Sequence, residues 1–326
     1  MQQRAARPPR AATWTLSDGH AGNVRQAEAL AAALGRPARS WHLDAAVPWR
    51  WFAPRHLPRS AHAWGRDFAT AMATPPALAI GCGRQAALAT RLLRGRAGAV
   101  VQILDPRLDP RHWDLVVAPE HDGLRGDNVI TLLGSLNPVD DLWLAAARSV
   151  FAAFARLPRP RTALLLGGPS SHARFDEAQM EALCAQVAAL TARDGGSVLA
   201  TTSRRTPPGV RRALRWRLAN LSGHVWTDPA DGSNPYPGVL GWADRIVCTA
   251  DSVNMLSEAC ATRVPVYVAG ADRLNGRPRR FVDALLGTGR LRHFDTIDDA
   301  PTSEPAQSPL RETARVAEHV ATRLGL

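Results

Sequence analysis

The chain has 326 residues, of which 45% are hydrophobic and 21% are charged, so it is long enough for two domains with sizeable cores and its composition excludes a disordered protein. The formal net charge is +11, but the chain contains no lysine and all 40 basic residues are arginine. Because this imbalance is typical of GC-rich coding, the charge does not predict nucleic acid as a partner, although it does predict a weak attraction to acidic lipid headgroups.

The cysteines and the amino end indicate the compartment. The spacing of the four cysteines fits neither a zinc site nor a disulfide framework, so they predict buried thiols in a reducing environment. Residues 1–12 are basic but lack the apolar core of a secretory signal, and no run approaches the ~20 apolar residues of a membrane span. We expect a cytoplasmic protein with no metal or cofactor, with peripheral contact to the inner membrane as a further expectation.

The first half of the chain predicts a Rossmann-like domain. A short strand at 12–16, a glycine loop and an amphipathic helix at 24–34 are followed by the same order at 76–93. Further short strands are predicted at 99–104, 114–118 and 128–132. The first loop, SDGHAGN, is not GxGxxG, which disfavours a dinucleotide enzyme.

Several residues follow these strands at the expected carboxyl edge of the sheet, where open α/β folds bind ligands. Gly81, Gly83 and Arg84 come after the second predicted strand, and Glu120 with His121 is a candidate acid/base pair farther along. We rank that pair below other candidates, because adjacent side chains usually point apart.

Residues 48–58, PWRWFAPRHLP, mix aromatic and basic side chains. Such a mixture suits a membrane interface. The alternative is a loop whose tryptophan rings complete the core.

The second half repeats the pattern after a predicted helix at 140–155 and a Pro-rich break at 156–161. Strands are predicted at 162–166, 197–202, 225–228, 245–249 and 264–268. The first of these enters a glycine and serine turn that is a candidate phosphate cradle, formed by Gly167, Gly168, Ser170 and Ser171. The second ends at Arg204 and Arg205, which could neutralise a leaving diphosphate.

The stretch 243–270 predicts a strand, a helix and a strand in a parallel crossover. Its helix is capped by Asp251 or Ser252 and has Asn254 in its first turn, so free N–H groups and the positive end of the helix dipole offer a phosphate site. Glu258 lies nearly two turns farther, where a carboxylate can accept hydrogen bonds from a ribose. An ordinary capped helix with a solvated glutamate is the alternative.

Four motifs in order, SDGHAGN, GGPSS, TSRRTP and ADSVNMLSEA, resemble the mitochondrial-fission elongated-mitochondria (Elm-type) family. ADSVNMLSEA also resembles the nucleotide-sugar element of GT-B glycosyltransferases. The resemblance implies an α/β, GT-B-like fold with two Rossmann-like parallel-sheet domains facing across a cleft. It implies an acceptor-side domain at 1–156, a nucleotide-sugar-binding domain at 157–309, and a helix at 310–326 that packs back toward the first domain.

The resemblance also implies roles for single residues. Ser252 and Glu258 occupy the places that hold the nucleotide of the donor, and the first loop helps to hold the acceptor. His20 is then the leading candidate for the base that deprotonates the acceptor, with Asp18 as the alternative. The other acceptor-side residues expected in this loop are Gly19, Gly22 and Asn23. A structural interpretation, in which Asp18 and His20 only satisfy turn N–H groups, stays open.

The function implied is metal-independent transfer of a sugar from a nucleoside-diphosphate sugar to a cell-envelope glycan or lipid acceptor. No DxD motif is present, which agrees with a GT-B-like enzyme. The alternative is a non-catalytic regulator or scaffold of the Elm-type family that retains a vestigial nucleotide cleft.

Overall fold

The computed structural model describes residues 13–299 and 306–326. The expectations that concern residues 1–12, and the part of the expected second domain at 300–305, lie outside these ranges. The described chain divides into two compact units. The first contains the chain up to Pro138 together with Glu312–Leu326, and the second is Val139–Arg311.

The first unit contains one parallel sheet of six strands with the order β2-β1-β3-β4-β5-β6. Its elements up to Pro138 are β1 (Thr13–Ser17), α1 (Ala21–Ala33), β2 (Ala38–His42), α2 (Trp49–Phe52), α3 (Gly65–Ala71), β3 (Leu78–Cys82), α4 (Arg84–Leu93), β4 (Ala99–Ile103), β5 (Leu115–Pro119) and β6 (Val129–Leu132). Every residue of β1, β3, β4 and β5 is buried, as expected for parallel strands covered by helices on both faces.

The second unit contains a second six-stranded parallel sheet with the order β12-β11-β10-β7-β8-β9. Its elements are α5 (Asp141–Val150), β7 (Arg161–Leu166), α6 (Glu177–Arg193), β8 (Ser197–Thr202), α7 (Pro208–Leu218), β9 (Gly223–Trp226), α8 (Tyr236–Trp242), β10 (Arg245–Thr249), α9 (Val253–Cys260), β11 (Val266–Ala269), α10 (Gly276–Gly287) and β12 (Arg292–His293). The final helix, α11 (Glu312–Leu324), belongs to the first unit.

The boundary between the two units falls at Pro138, whereas the sequence predicted it near Arg156, at the Pro-rich break. The reason is that α5 packs against α8 and so belongs to the second unit. This helix also ends earlier than expected, and a 3-10 turn covers Ala152–Arg156.

Helix α11 completes the core of the first unit. Val316 and Val320 are fully buried among side chains of α1 and the sheet. The Glu312 carboxylate accepts a hydrogen bond from the Leu133 N–H at 3.2 Å, and Thr313 exchanges hydrogen bonds with the backbone of Asn137. The end of the chain therefore packs beside α1 on the same face of the sheet.

In both sheets the strand order reverses at one point. Strand β1 pairs with β2 on one side and β3 on the other, and β7 pairs with β8 and β10. Connections leave the sheet in opposite directions at such a switch point, which opens a crevice at the carboxyl ends of the two central strands. The loops after β1 and β3, and those after β7 and β10, are therefore the places to look for ligand-binding residues.

Candidate functional site

In the first unit, Asp18 organises the loop after β1. One of its carboxylate oxygens, Oδ1, lies 3.0 Å from the imidazole Nδ1 of His20 and accepts hydrogen bonds from the Asn23 amide at 2.9 Å and the His20 N–H at 3.2 Å. The Asp18 side chain is only 16% exposed, whereas that of His20 is 73% exposed. Asp18 and His20 are thus in contact, and the same carboxylate also accepts the His20 N–H of the turn.

The loop after β3 meets the same residues. A Cβ on Gly83 would lie 2.6 Å from the Asn23 amide nitrogen, and the Cys82 thiol donates a weak hydrogen bond to Asn23 Oδ1 at 3.6 Å. Burial raises the pKa of the Cys82 thiol, and the negative charge of Asp18 raises it further. Asp18, His20, Asn23, Cys82 and Gly83 therefore form one group, which we call the first-loop cluster, at the β1–β3 switch point.

Other acceptor-side candidates lie near this cluster without joining it. Gly19 forms the turn with a φ of +75°, but Gly22 is in the first turn of α1, because that helix begins at Ala21 and not at residue 24. Gly81 is buried, and Arg84 donates a hydrogen bond to the carbonyl of Arg50 at 3.3 Å. Glu120 and His121 follow β5, away from the switch point.

In the second unit, Asp251 joins the two loops at the switch point between β7 and β10. Its Oδ2 accepts hydrogen bonds from the Gly168 N–H at 2.9 Å and from Arg205 Nη2 at 2.5 Å. The Asp251 side chain is 1% exposed, and its other oxygen is buried without a partner in the described structure. We call Gly167, Gly168, Arg205 and Asp251 the second-loop cluster.

The two glycines of this cluster are needed for protein packing. A Cβ on Gly167 would lie 2.1 Å from Asp251 Oδ2, and one on Gly168 would lie 2.2 Å from the carbonyl oxygen of Arg205. The sequence predicted that backbone would approach a ligand here, but in the described chain the close approach is made by Asp251 and Arg205.

Thr206 and Thr249 support the same turn and were not identified from the sequence. The Thr249 hydroxyl accepts from the Gly167 N–H at 2.8 Å, and the Thr206 hydroxyl donates to the carbonyls of Leu166 and Gly167. Both side chains are buried. The sequence did offer a signal for each threonine: Thr249 is the last residue of β10, and Thr206 directly follows the two exposed arginines.

Helix α9 begins at the same edge. Ser252 is its N-cap, and the Ser252 hydroxyl accepts a hydrogen bond from the Met255 N–H at 3.4 Å. The first N–H groups of a helix have no partner within the helix, and Asn254 is half-buried in this turn. The terminus is therefore suited to an anion.

The Glu258 carboxylate is 2% exposed and lies on α9. The Tyr236 hydroxyl, at the start of α8, donates a hydrogen bond to Glu258 Oε2 at 2.5 Å. The sequence suggested a contact of Glu258 with the ribose, but it did not predict that Tyr236 contacts this carboxylate.

The remaining donor-side residues are more exposed. Arg204 makes no side-chain hydrogen bond or ion pair within the described residues, in contrast to Arg205, which also donates to the Gly168 carbonyl at 2.6 Å. Ser170 and Ser171 are exposed, and the Ser170 hydroxyl accepts from the His172 N–H at 3.3 Å. Within residues 13–299 and 306–326, no group of three or more histidine, cysteine and acidic side chains is arranged to hold a metal ion.

The two six-stranded parallel sheets, each with helices and a reversal of strand order, define an α/β protein of GT-B-like fold. Residues 21–324 match the family described as mitochondrial fission ELM1, and the chain belongs to this family.

Two curated relatives are similar over much of the chain. The mitochondrial fission protein ELM1 of Arabidopsis thaliana is 32% identical over 277 residues, which cover 76% of this chain and 64% of that protein. The uncharacterized protein RP120 of Rickettsia prowazekii (strain Madrid E) is 24% identical over 349 residues, covering 94% and 96% of the two chains. The chain thus spans less than two thirds of the length of the plant relative.

Solved structures share the fold at low identity. The UDP-GlcNAc 2-epimerase of Methanocaldococcus jannaschii has a TM-score of 0.58 at 13% identity, with 96% of this chain and 99% of that chain covered. The UDP-GlcNAc 2-epimerase of Neisseria meningitidis, bound to UDP-GlcNAc, has a TM-score of 0.55 at 12% identity, with the same coverage. At this identity the likeness shows the fold alone.

Proposed function

We propose that this protein transfers a sugar from a nucleoside-diphosphate sugar to a cell-envelope glycan or lipid acceptor, without a metal ion. The observation that carries the proposal is the group of residues at the β7–β10 switch point. There α9 begins, with an open N-terminus, directly after β10, and the exposed Arg204 lies on the neighbouring loop after β8. The second-loop cluster holds both of these loops against the glycine turn that follows β7. A solved epimerase of the same fold binds UDP-GlcNAc, which supports a nucleotide sugar as the ligand.

The charges at this edge favour one arginine over the other. The Arg205 guanidinium is paired with the buried Asp251 carboxylate, so its positive charge is largely neutralised within the protein. Arg204 has no such partner in the described structure. We therefore assign the contact with the leaving diphosphate to Arg204 and the N–H groups of α9, and assign to Arg205 the positioning of the glycine turn.

Glu258 is proposed to accept hydrogen bonds from the ribose. Its carboxylate is buried and held by Tyr236, so the ligand has to reach it from the α9 side or compete with the Tyr236 hydroxyl. The two side chains can be separated by substitution, because Tyr236→Phe removes the internal hydrogen bond without changing the carboxylate.

The first-loop cluster is proposed to activate the acceptor. His20 Nδ1 contacts Asp18, which leaves Nε2 to take the proton of the acceptor hydroxyl. A bond then forms between that oxygen and the anomeric carbon of the sugar, while the bond from this carbon to the diphosphate breaks and the electron pair leaves with the phosphate oxygen. We propose inversion at the anomeric carbon, since a single displacement needs one base and one stabilised leaving group.

The test begins with donor binding. Thermal unfolding is measured against UDP, GDP, ADP, CMP and NAD, each with and without magnesium. A ligand at about 100 times its Kd adds roughly 2.7 kcal/mol, which shifts the Tm by a few degrees. We expect one nucleoside diphosphate to stabilise without magnesium, Glu258→Gln to abolish the shift, and Tyr236→Phe, as the matched control, to keep it. A shift with NAD alone, or none with any nucleotide, would contradict the proposal.

A regulator or scaffold is the second candidate, and one feature favours it: Glu258, Asp251 and Arg205 already have partners within the chain, as in a site that no longer binds a nucleotide. His20→Gln and Glu258→Gln separate the two functions in the source cell. A transferase loses its cellular effect with either change, whereas a scaffold keeps it. Product analysis must also test for an epimerised donor, because the fold is shared with epimerases.

A further inference from the structure

The strongest unassigned surface feature is an exposed apolar group in the first unit. Val47, Trp51 and Phe52 are 53%, 68% and 47% exposed, and they lie within six residues of each other. The other large hydrophobic side chains of comparable exposure in the described structure are Leu142, Val150, Trp216 and Leu326. A concentration of exposed apolar surface on one short segment marks an interaction site more often than a scattered residue does.

The segment is held in place by the body of the unit. Arg84 and Arg91 of α4 donate hydrogen bonds to the carbonyls of Arg50 and Pro54 at 3.3 and 3.4 Å. Ala53 is 4% exposed, so the segment packs inward through small residues while its large apolar side chains remain in solvent. The tryptophan and phenylalanine rings at 51 and 52 therefore do not complete the core.

The charges around this group are nearly all positive. Between Asp44 and Asp67 the chain has four arginines and no acidic residue. Arg50, Arg55 and Arg59 are exposed, and Asp44 lies 3.6 Å from Arg50 as its ion-pair partner. Aromatic rings beside arginines match an anionic bilayer, in which the rings reach the headgroup region and the guanidinium groups meet phosphates.

We propose that residues 47–59 dock the protein on the surface of an anionic lipid bilayer, with Trp51 and Phe52 inserted and the arginines in contact with phosphate headgroups. We call these residues the docking segment. It carries no membrane span, and no helix in the described ranges is long and apolar enough to be one. Binding of this kind is peripheral and weakens with salt.

The position of the docking segment deepens the proposed function and rests on it. Arg84, the first residue of α4, binds the backbone of this segment, and Gly83 directly before it contacts Asn23 of the first-loop cluster. Gln85 accepts a hydrogen bond from the Ala45 N–H at 2.6 Å. A bilayer held by residues 47–59 is thus next to the proposed acceptor-binding loop, which favours a lipid-linked acceptor over a soluble glycan.

The experiment is sedimentation of the full chain with vesicles of phosphatidylcholine alone or of phosphatidylcholine mixed with phosphatidylglycerol. We expect binding to the anionic vesicles only. Trp51→Ala with Phe52→Ala should weaken it by about a hundredfold. Arg50→Gln with Arg55→Gln should weaken it by about fivefold for each arginine and flatten its salt dependence.

Trp216→Ala is the matched control. Trp216 is 71% exposed and lies beside Arg217, as Trp51 lies beside Arg50, but it has no apolar neighbour of comparable exposure on α7. Binding should be unchanged by this substitution, and the Tm of each variant shows whether it folds. Three results would overturn the proposal. They are an equal loss of vesicle binding from Trp216→Ala, binding to neutral vesicles with the same affinity, and a dimer that Trp51→Ala makes monomeric. Vesicle binding needs no nucleotide, so failure of the donor test leaves this result interpretable.

Discussion

Gly167 shows most directly how a single residue holds the second-loop cluster together. Its Cα lies so close to Asp251 that a methyl group would overlap both carboxylate oxygens, at 2.1 and 2.3 Å. We expect Gly167→Ala to lower the free energy of unfolding by about 1–3 kcal/mol, because Asp251 must move and its hydrogen bond to Gly168 is strained. Urea unfolding measures the loss.

Gly287→Ala is the control for that substitution. Gly287 ends α10, and no heavy atom lies within 4 Å of the Cβ position. Alanine there should be neutral or should stabilise by about 0.5–1 kcal/mol, since glycine is a poor helix residue. If both alanines had the same effect, the close contact at Gly167 would have no energetic importance.

At the scale of elements, Arg290 fixes the end of α9. Its guanidinium donates hydrogen bonds to the carbonyls of Cys260 at 2.9 Å, Thr262 at 2.8 Å and Ala259 at 3.3 Å. These carbonyls include groups that a helix leaves without partners at its end. Burial lowers the pKa of Arg290, which is the cost of placing a charge there.

Arg290→Met should lower the free energy of unfolding by about 2–4 kcal/mol, because it keeps much of the volume but removes three buried hydrogen bonds, including the one from Arg290 to the Thr262 carbonyl. The comparison is Arg279→Met, which breaks an exposed pair with Asp283 one turn along α10 and should cost about 0.5 kcal/mol or less. Losses of similar size would show that the buried contacts of Arg290 contribute little.

At the scale of the whole molecule, the four cysteines are free and buried, distributed over both units. Burial raises the pKa of Cys184 to about 12 and that of Cys260 to about 11, and it also raises the pKa of Cys82 and Cys248. These thiols therefore keep their protons in the folded chain at a pH where they lose them in the unfolded chain.

The sign of the pH effect follows from this difference. The stability that the neutral thiols contribute is complete below the unfolded pKa of about 8.5 and is lost as the pH rises toward the folded pKa. We expect the free energy of unfolding to fall more steeply above about pH 9 for the native chain than for Cys184→Ala, by roughly 1 kcal/mol per pH unit. Parallel curves in urea unfolding at several pH values would contradict the assigned shift.

The predictability of the fold varied with burial. Strands β3 and β7 are fully buried on both faces, so their apolar runs identified them. Strand β2 is an edge strand with four of five residues exposed, and helix α7 carries arginines at many positions, so neither had a clear hydrophobic pattern. Helix α10 was not predicted for the same reason, since RPRR occupies its first turns.

The chain's own pattern was sufficient to establish two parallel α/β halves and the loops that lie at their switch points, because strand length, glycine turns and helix caps are local properties. Contacts between distant residues required the tertiary structure. Gly168 and Asp251 are 83 residues apart, and Tyr236 and Glu258 meet only where α8 and α9 come together. The exposure of Trp51 was equally hidden, since the same PWRWF letters suit a buried loop or a membrane surface, and only the packing around Ala53 distinguishes them.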